Sequence, residues 1–220
     1  MAAGCDWVDV KEPANGPLGR ATPAVWQAIA AELAAATASP KLTIALGEQA
    51  PSNGAAMLPP GVSLVKLGPT ELPDASDGRS YRDALVAERR TFGIGPFGWA
   101  SVGYADHRSM QTMASRRTML AVARDLGDEV FLVDTFDKRG PRLCQRWTDD
   151  DIARLVEEVH EHGLKAAVAG RLTHDDLRRL APLGVDVLGV RSAACGGDRR
   201  DAIREDAVRD CVEAVRPATA

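Results

Sequence analysis

Apolar runs rich in β-branched residues recur at 6–10, 42–46, 62–67, 99–104, 130–134, 165–169 and 185–190, and each leads into a polar or glycine-containing loop. Short apolar runs bounded in this way predict strands. Between them, stretches with helical spacing lie at 22–37, 81–91, 110–126, 148–162, 173–180 and 200–215. In 148–162, Ile152, Leu155, Val156 and Val159 fall on one stripe, which is the spacing of a helix covering a sheet. Helix starts are marked as well: Thr22 precedes Pro23, Thr148 precedes three aspartates, and Thr173 precedes His174, Asp175 and Asp176. A threonine oxygen can accept from a free first-turn N–H, and acids there suit the positive end of the helix dipole. The segment 69–79, rich in Pro, Asp, Ser and Gly with no apolar period, reads as a mobile surface loop.

Strand and helix alternate along the whole chain, and the strands are nearly continuous in apolar character, so the sheet should be parallel. Such a sheet is either doubly wound or closed into a barrel. The seven runs fall one short of an eight-stranded barrel. Residues 1–6 read as the end of a helix capped by Gly4 and leading straight into the first strand, so a preceding helix and strand would be absent, through a late start or a truncation. The expectation is an α/β chain forming a single (β/α)8 TIM-type barrel domain over 1–220, apparently lacking its first strand; the alternative is an open seven-stranded sheet. Either arrangement leaves the first and last strands with unpaired edges, so association into a homo-oligomer is expected.

Composition narrows the function classes. The 220 residues are 45% hydrophobic with a net charge of −4, which fits a soluble enzyme-sized domain and gives no broad basic field for nucleic acid. The pairs Arg89-Arg90, Arg116-Arg117, Arg178-Arg179 and Arg199-Arg200 read as solvated helix faces or local anion sites. Cysteines at 5, 144, 195 and 211 show neither metal-ligand spacing nor scaffold density, so a reducing cytoplasm and no metal are expected. The chain shows no leader pattern and no apolar run of membrane-spanning length, so no membrane partner is expected.

Lysine is scarce, standing only at 11, 41, 66, 138 and 165, and three of these lie at or just beyond strand ends. Residues two apart in a strand share a face, so Asp9 and Lys11 should project together, with Asp134 and Lys138 meeting them from another strand. In parallel α/β folds the loops after strand C-termini build the site. Those loops carry Asp9, Lys11, Glu48, Lys66, Asp106, His107, Asp134, Lys138, Arg171 and Arg191. Lysines crowded with other cations have lowered pKa values and can form a Schiff base with a carbonyl. The alternative is a structural layer of salt bridges. Gly170 and the Gly196-Gly197 pair follow the last two strands, where barrels commonly hold a phosphate on backbone N–H groups, and Arg191 would add charge. The loop 15–20 after Lys11 is glycine-rich without a nucleotide-binding spacing, and His107 reads as a proton carrier or a helix cap. Cys195, beside the glycine pair, reads as a small buried residue.

With these residues laid out, the chain resembles the (5-formylfuran-3-yl)methyl phosphate synthases of methanofuran biosynthesis. The resemblance is carried by Asp9-Val10-Lys11-Glu12-Pro13 with Gly16-Pro17-Leu18-Gly19, by Val65-Lys66-Leu67-Gly68, and by Gly103-Tyr104-Ala105-Asp106. It continues through Asp134-Thr135 to Lys138, His162-Gly163-Leu164-Lys165-Ala166-Ala167 with Ala169-Gly170, and Gly189-Val190-Arg191 to Gly197-Asp198-Arg199. It implies a lyase that condenses two molecules of glyceraldehyde 3-phosphate and closes a furan ring with loss of phosphate and water, using no cofactor. It also implies Lys11 as the Schiff-base lysine, with Asp9, Lys66, Asp134 and Lys138 in the remaining site positions and Arg191 with Gly196-Gly197 holding a phosphate. Two departures stand out: Ser192 replaces a second glycine after Arg191, and His107 replaces a small residue after Tyr104-Ala105-Asp106. Two other readings remain open, a Schiff-base aldolase on another sugar phosphate and a silent barrel that binds a phosphorylated metabolite.

Overall fold

The computed structural model describes residues 3–37, 40–49, 57–93 and 95–216. Among these, seven strands follow in order: β1 (Trp7–Val10), β2 (Lys41–Ala45), β3 (Val62–Lys66), β4 (Gly98–Tyr104), β5 (Val130–Asp134), β6 (Lys165–Val168) and β7 (Val187–Leu188). Every neighbouring pair is parallel, and the order in the sheet is the order in the chain. Seven helices connect or flank them: α1 (Pro23–Ala34), α2 (Gly78–Arg90), α3 (Met113–Asp125), α4 (Leu143–Arg146), α5 (Asp149–Glu161), α6 (His174–Leu180) and α7 (Glu205–Val215). Short 3-10 turns lie at Pro13–Asn15, Arg108–Met110, Ala181–Leu183 and Ala193–Cys195.

The sheet is curled. Leu64, Ala100, Val130 and Ala167 form one cluster with Trp7, Leu132 and Val187, so side chains from β1 and β7, at opposite ends of the sheet, pack on the same interior. The other face is covered by helices. Trp26, Ala30 and Leu33 of α1 pack on Val10, Leu42, Ile44, Val62 and Val65, while α3, α5, α6 and α7 cover Phe131, Val133, Ala166 and Val168. Strand alternation then separates the two sets: on β5, Phe131 and Val133 face the helices while Val130, Leu132 and Asp134 face inward. Among the described residues β1 and β7 do not pair with each other. The seam between them is bridged at loop level by Arg199, whose guanidinium donates to Pro13 O at 3.4 Å and Gly16 O at 3.3 Å.

The marked helix starts form as expected. The side chains of Thr22, Thr148 and Thr173 accept from the third residue of α1, α5 and α6, and Asp151 and Asp176 reciprocate to complete capping boxes. Several expectations are corrected. The helix expected over 110–126 is a 3-10 turn followed by α3, because Thr112 caps the latter. The helix expected over 200–215 begins only at Glu205, and the last strand shortens to two residues. The segment 69–79 is a largely exposed loop as far as Asp77, but it is anchored: Leu72 and Ala75 are buried in the core, and Asp77 caps α2, which starts at Gly78. Two apolar residues spaced by polar ones produce no period, yet suffice to pin the segment down. Gly4 has the left-handed φ of +78° expected of a helix cap, while Met1 and Ala2 lie outside the described residues. Among the described residues no helix is long and apolar enough to cross a membrane.

Candidate active site

The charged residues at the strand ends meet on the inward face. Trp7 places the odd-numbered side chains of β1 inside the curl, which carries Asp9 and then Lys11 to the mouth. Asp9 is in register with Thr43 of β2, and Lys66 ends β3. Lys66 Nζ donates to Asp9 Oδ1 at 2.5 Å and to Thr43 Oγ1 at 3.2 Å, and Thr43 Oγ1 donates to Asp9 Oδ1 at 2.8 Å. Lys11 Nζ stands 3.9 Å from Asp9 Oδ2. On the far side of the curl, Lys138 Nζ donates to Asp134 Oδ1 at 2.5 Å and to Thr135 Oγ1 at 3.4 Å, and the Thr135 N–H donates to the same Asp134 oxygen at 2.7 Å. The structure thus brings together Asp9, Lys11, Lys66, Asp134 and Lys138.

Their acidities follow from this crowding. Burial works to raise the pKa of Asp134, but Lys138 and Lys11 and the hydrogen bonds from Lys138 and Thr135 outweigh it, so the carboxyl stays below its usual range. Asp9 behaves alike under Lys66 and Lys11, although 32% of its side chain is open on the edge strand. The two lysines are lowered as well, but in them burial is the cause and the paired acid opposes it. Loss of water lowers the pKa of Lys66 by more than Asp9 restores, and Lys11 adds to the lowering. Lys138 is lowered by burial against the pull of Asp134, with Lys11 and Arg199 contributing. A lysine so placed gives up its proton more readily than one in water, while its paired carboxylate stays ionised.

Neighbouring loops hold this arrangement in place. Asp106 accepts the N–H groups of Phe136 at 2.6 Å and Asp137 at 2.9 Å, which fixes the turn between Asp134 and Lys138. The loop after Lys11 closes on itself through the Glu12 N–H donating to Gly19 O at 2.8 Å, and it buries Leu18 against Ala45, Val102 and Tyr104 inside the mouth. His107 sits at the rim beside Phe136, with its pKa lowered by burial and by Arg108. Cys195 is buried.

The expected phosphate residues are more dispersed. A cleft of about 500 Å³ between the loops after β6 and β7 is lined by Arg171, Thr173, His174, Gly196, Gly197 and Arg204, with Asp206 and Asp210 on its wall. Arg191 and Gly170 do not line it: Arg191 Nε donates to Arg199 O at 3.1 Å, and Gly170 O accepts the Leu143 N–H at 3.1 Å. Gly170, at φ +117°, has no room for a side chain because a Cβ there would stand 2.7 Å from Leu143 Cβ. The Gly197 N–H is engaged by Ser192 O at 2.8 Å, so Gly197 shapes the loop rather than offering a donor. Arg171 adopts a left-handed φ of +58° and donates to Gly140 O.

Sequence reasoning misses Thr43. A lone threonine in a strand carries no signal until the β1–β2 register places it opposite Asp9. Arg199 stands in the sequence as half of a basic pair and at the end of a resembling motif, but its role at the seam is not legible there, because a contact between residues 183 apart has no local signature.

Comparison with known proteins finds relatives along nearly the whole chain. Residues 1–212 match the model of a family described as 4-HFC-P synthase. The (5-formylfuran-3-yl)methyl phosphate synthase of Methanopyrus kandleri strain AV19 is 33% identical over 223 residues, covering 98% of this chain and 92% of that protein. The enzyme of the same name from Methanococcus maripaludis strain S2 is 32% identical over 231 residues, covering 98% and 93%. Among solved structures, a 3-hexulose-6-phosphate synthase aligns with a TM-score of 0.56 at 12% identity, covering 96% of this chain and 87% of that one, and the Salmonella typhimurium 3-hexulose-6-phosphate synthase aligns at 0.55 with 13% identity, covering 96% and 86%. These likenesses concern the fold, a TIM-type barrel of which seven strands are present among the described residues. With nearly its whole length matched by named synthases, the chain belongs to the 4-HFC-P synthase family.

Proposed function

We propose that the protein condenses two molecules of glyceraldehyde 3-phosphate into (5-formylfuran-3-yl)methyl phosphate, releasing one phosphate and two waters, as a step of methanofuran biosynthesis. The observation that carries this reading is the convergence of Asp9, Lys11, Lys66, Asp134 and Lys138 on one inward face. Lys66 and Lys138 are each locked to a carboxylate at 2.5 Å, while Lys11 lies 3.9 Å from its nearest acid and is the amine freest to attack a carbonyl. An iminium at Lys11 would acidify the adjacent carbon, whose proton a nearby base removes; the resulting enamine attacks the second aldehyde. Lys138 with Asp134 and Lys66 with Asp9 supply proton donors and acceptors for the steps that follow. The arginines 171, 191 and 199 around the last loops offer charge to the substrate phosphates, and Gly196 in the adjoining cleft leaves room for one.

Incubation of the full chain with glyceraldehyde 3-phosphate, followed by furan-aldehyde absorbance and phosphate release, tests the reading. Both signals are expected together, and an aldol product without furan absorbance would replace this reading with an aldolase. Borohydride should trap an adduct on the wild type and none on Lys11→Arg. An adduct still trapped in that variant moves the nucleophile to Lys66 or Lys138.

A further inference from the structure

One carboxylate at the mouth has no part in the lysine chemistry above. Tyr104 and Asp134 are in register across β4 and β5, both on the inward face. On the other side of Tyr104 lies Glu48, from the loop after β2. The Tyr104 hydroxyl donates to Glu48 Oε1 at 2.6 Å, and Thr70 Oγ1 donates to Glu48 Oε2 at 2.9 Å. Gly68 is the third wall, since a Cβ there would fall inside the Glu48 carboxylate. Tyr104 is fully buried, and burial followed by Glu48 and Asp134 pushes its pKa well above the ordinary value, so it remains a protonated donor. Glu48 itself is half-buried and held from three sides.

We propose that Glu48 is a further acid–base residue of this site, serving the water-losing steps, with Tyr104 as its positioning residue. The proposal rests on the furan-synthase reading. In each dehydration a C–H bond next to the iminium or carbonyl breaks, its electron pair forms a C=C bond, and the C–O bond to the neighbouring hydroxyl breaks. The departing oxygen takes a proton and leaves as water. Glu48 can receive the carbon-bound proton and return it to that oxygen, ending as it began. The choice among the carboxylates follows from their partners. A proton on Asp9 or Asp134 would strand the lysine ammonium held at 2.5 Å, whereas the two hydroxyls on Glu48 are neutral and can turn to accept.

The experiment compares wild type, Glu48→Gln and Tyr104→Phe in steady-state furan formation, in borohydride trapping at the lysine, and in mass analysis of six-carbon products. General acid–base groups typically contribute about 100- to 10,000-fold, so Glu48→Gln should lower kcat by at least ~100-fold with KM little changed. It should keep lysine trapping and accumulate an incompletely dehydrated six-carbon adduct. Tyr104→Phe should show the same accumulation with a smaller fall in kcat, which a merely structural role would not produce. Furan formation by Glu48→Gln within about twofold of wild type overturns the proposal, as does loss of lysine trapping in both variants. If the wild type itself is trapped yet makes no furan, the furan-synthase reading fails first and this proposal falls with it.

Discussion

The guanidinium of Arg199 lies 3.3 Å from the carbonyl oxygen of Gly16, 183 residues earlier in the chain. That contact ties the loop carrying Lys11's neighbours to the loop after β7, across the seam where no strands pair among the described residues. Both of its hydrogen bonds are long, so their worth to stability is small. Their worth to geometry is larger, because a misplacement of about 1 Å at a reacting group can cost about 100-fold in rate. Arg199→Met is therefore expected to lower kcat about 10- to 100-fold while shifting the melting temperature little. Arg199 also helps depress the pKa of Lys138, so its removal lets that pKa rise. The limb of the pH–rate profile set by Lys138 should move to higher pH.

A second prediction concerns the outer face of the sheet. Arg89 of α2 pairs with Asp128 through two hydrogen bonds, at 2.5 and 2.8 Å, and Ser101 Oγ donates to the same carboxylate at 2.5 Å. The Asp128 side chain has no exposed surface, and Arg89 stacks on Trp99 with its guanidinium carbon 4.6 Å from the ring centroid. Removing one partner strands a buried charge, which costs about 3–5 kcal/mol. Arg89→Met should lose that much in chemical denaturation. Arg89→Met combined with Asp128→Leu should recover most of it, since two apolar side chains leave no charge unpaired.

The third concerns pH. Burial works to raise the pKa of Asp176, but the Thr173 backbone and hydroxyl groups and Arg142 overcome it and hold it below its unfolded value. The folded chain therefore binds this proton less readily than the unfolded one. Its contribution is complete above the unfolded carboxylate pKa and is lost as pH falls through the folded value. Wild-type stability should drop between about pH 5 and pH 2, while Asp176→Asn, already weaker by about 1–3 kcal/mol at neutral pH, should drop by less over the same interval. Urea titrations at several pH values check both slopes.

Much of this architecture is legible in the amino-acid sequence. All seven strands lie where apolar runs end in polar loops, because the inner strands are buried on both faces and do not alternate. Asp9 with Lys11, and Asp134 with Lys138, are legible as pairs because two-residue and four-residue spacings act locally. What escapes depends on registers and on contacts across the curl. Thr43 reaches Lys66 only because β2 lies between β1 and β3, and Leu72 and Ala75 are core residues only because they pack into the cluster shared by α2 and α3. The phosphate residues follow a general habit of barrels, and here Gly196 and Gly197 line a cleft that Arg191 and Gly170 do not share.

The curl also decides when the lysines acquire their unusual acidity. Lys66 is depressed by burial and feels Lys11 and Asp134, and Lys138 feels Lys11 and Arg199, so each depends on segments distant in the chain. On a ribosome, a polypeptide that has emerged as far as β5 already holds Asp9, Lys11 and Asp134, the charged partners of Lys66, but not Arg199, so the electrostatic surroundings of Lys138 are completed only when the loop after β7 has been made.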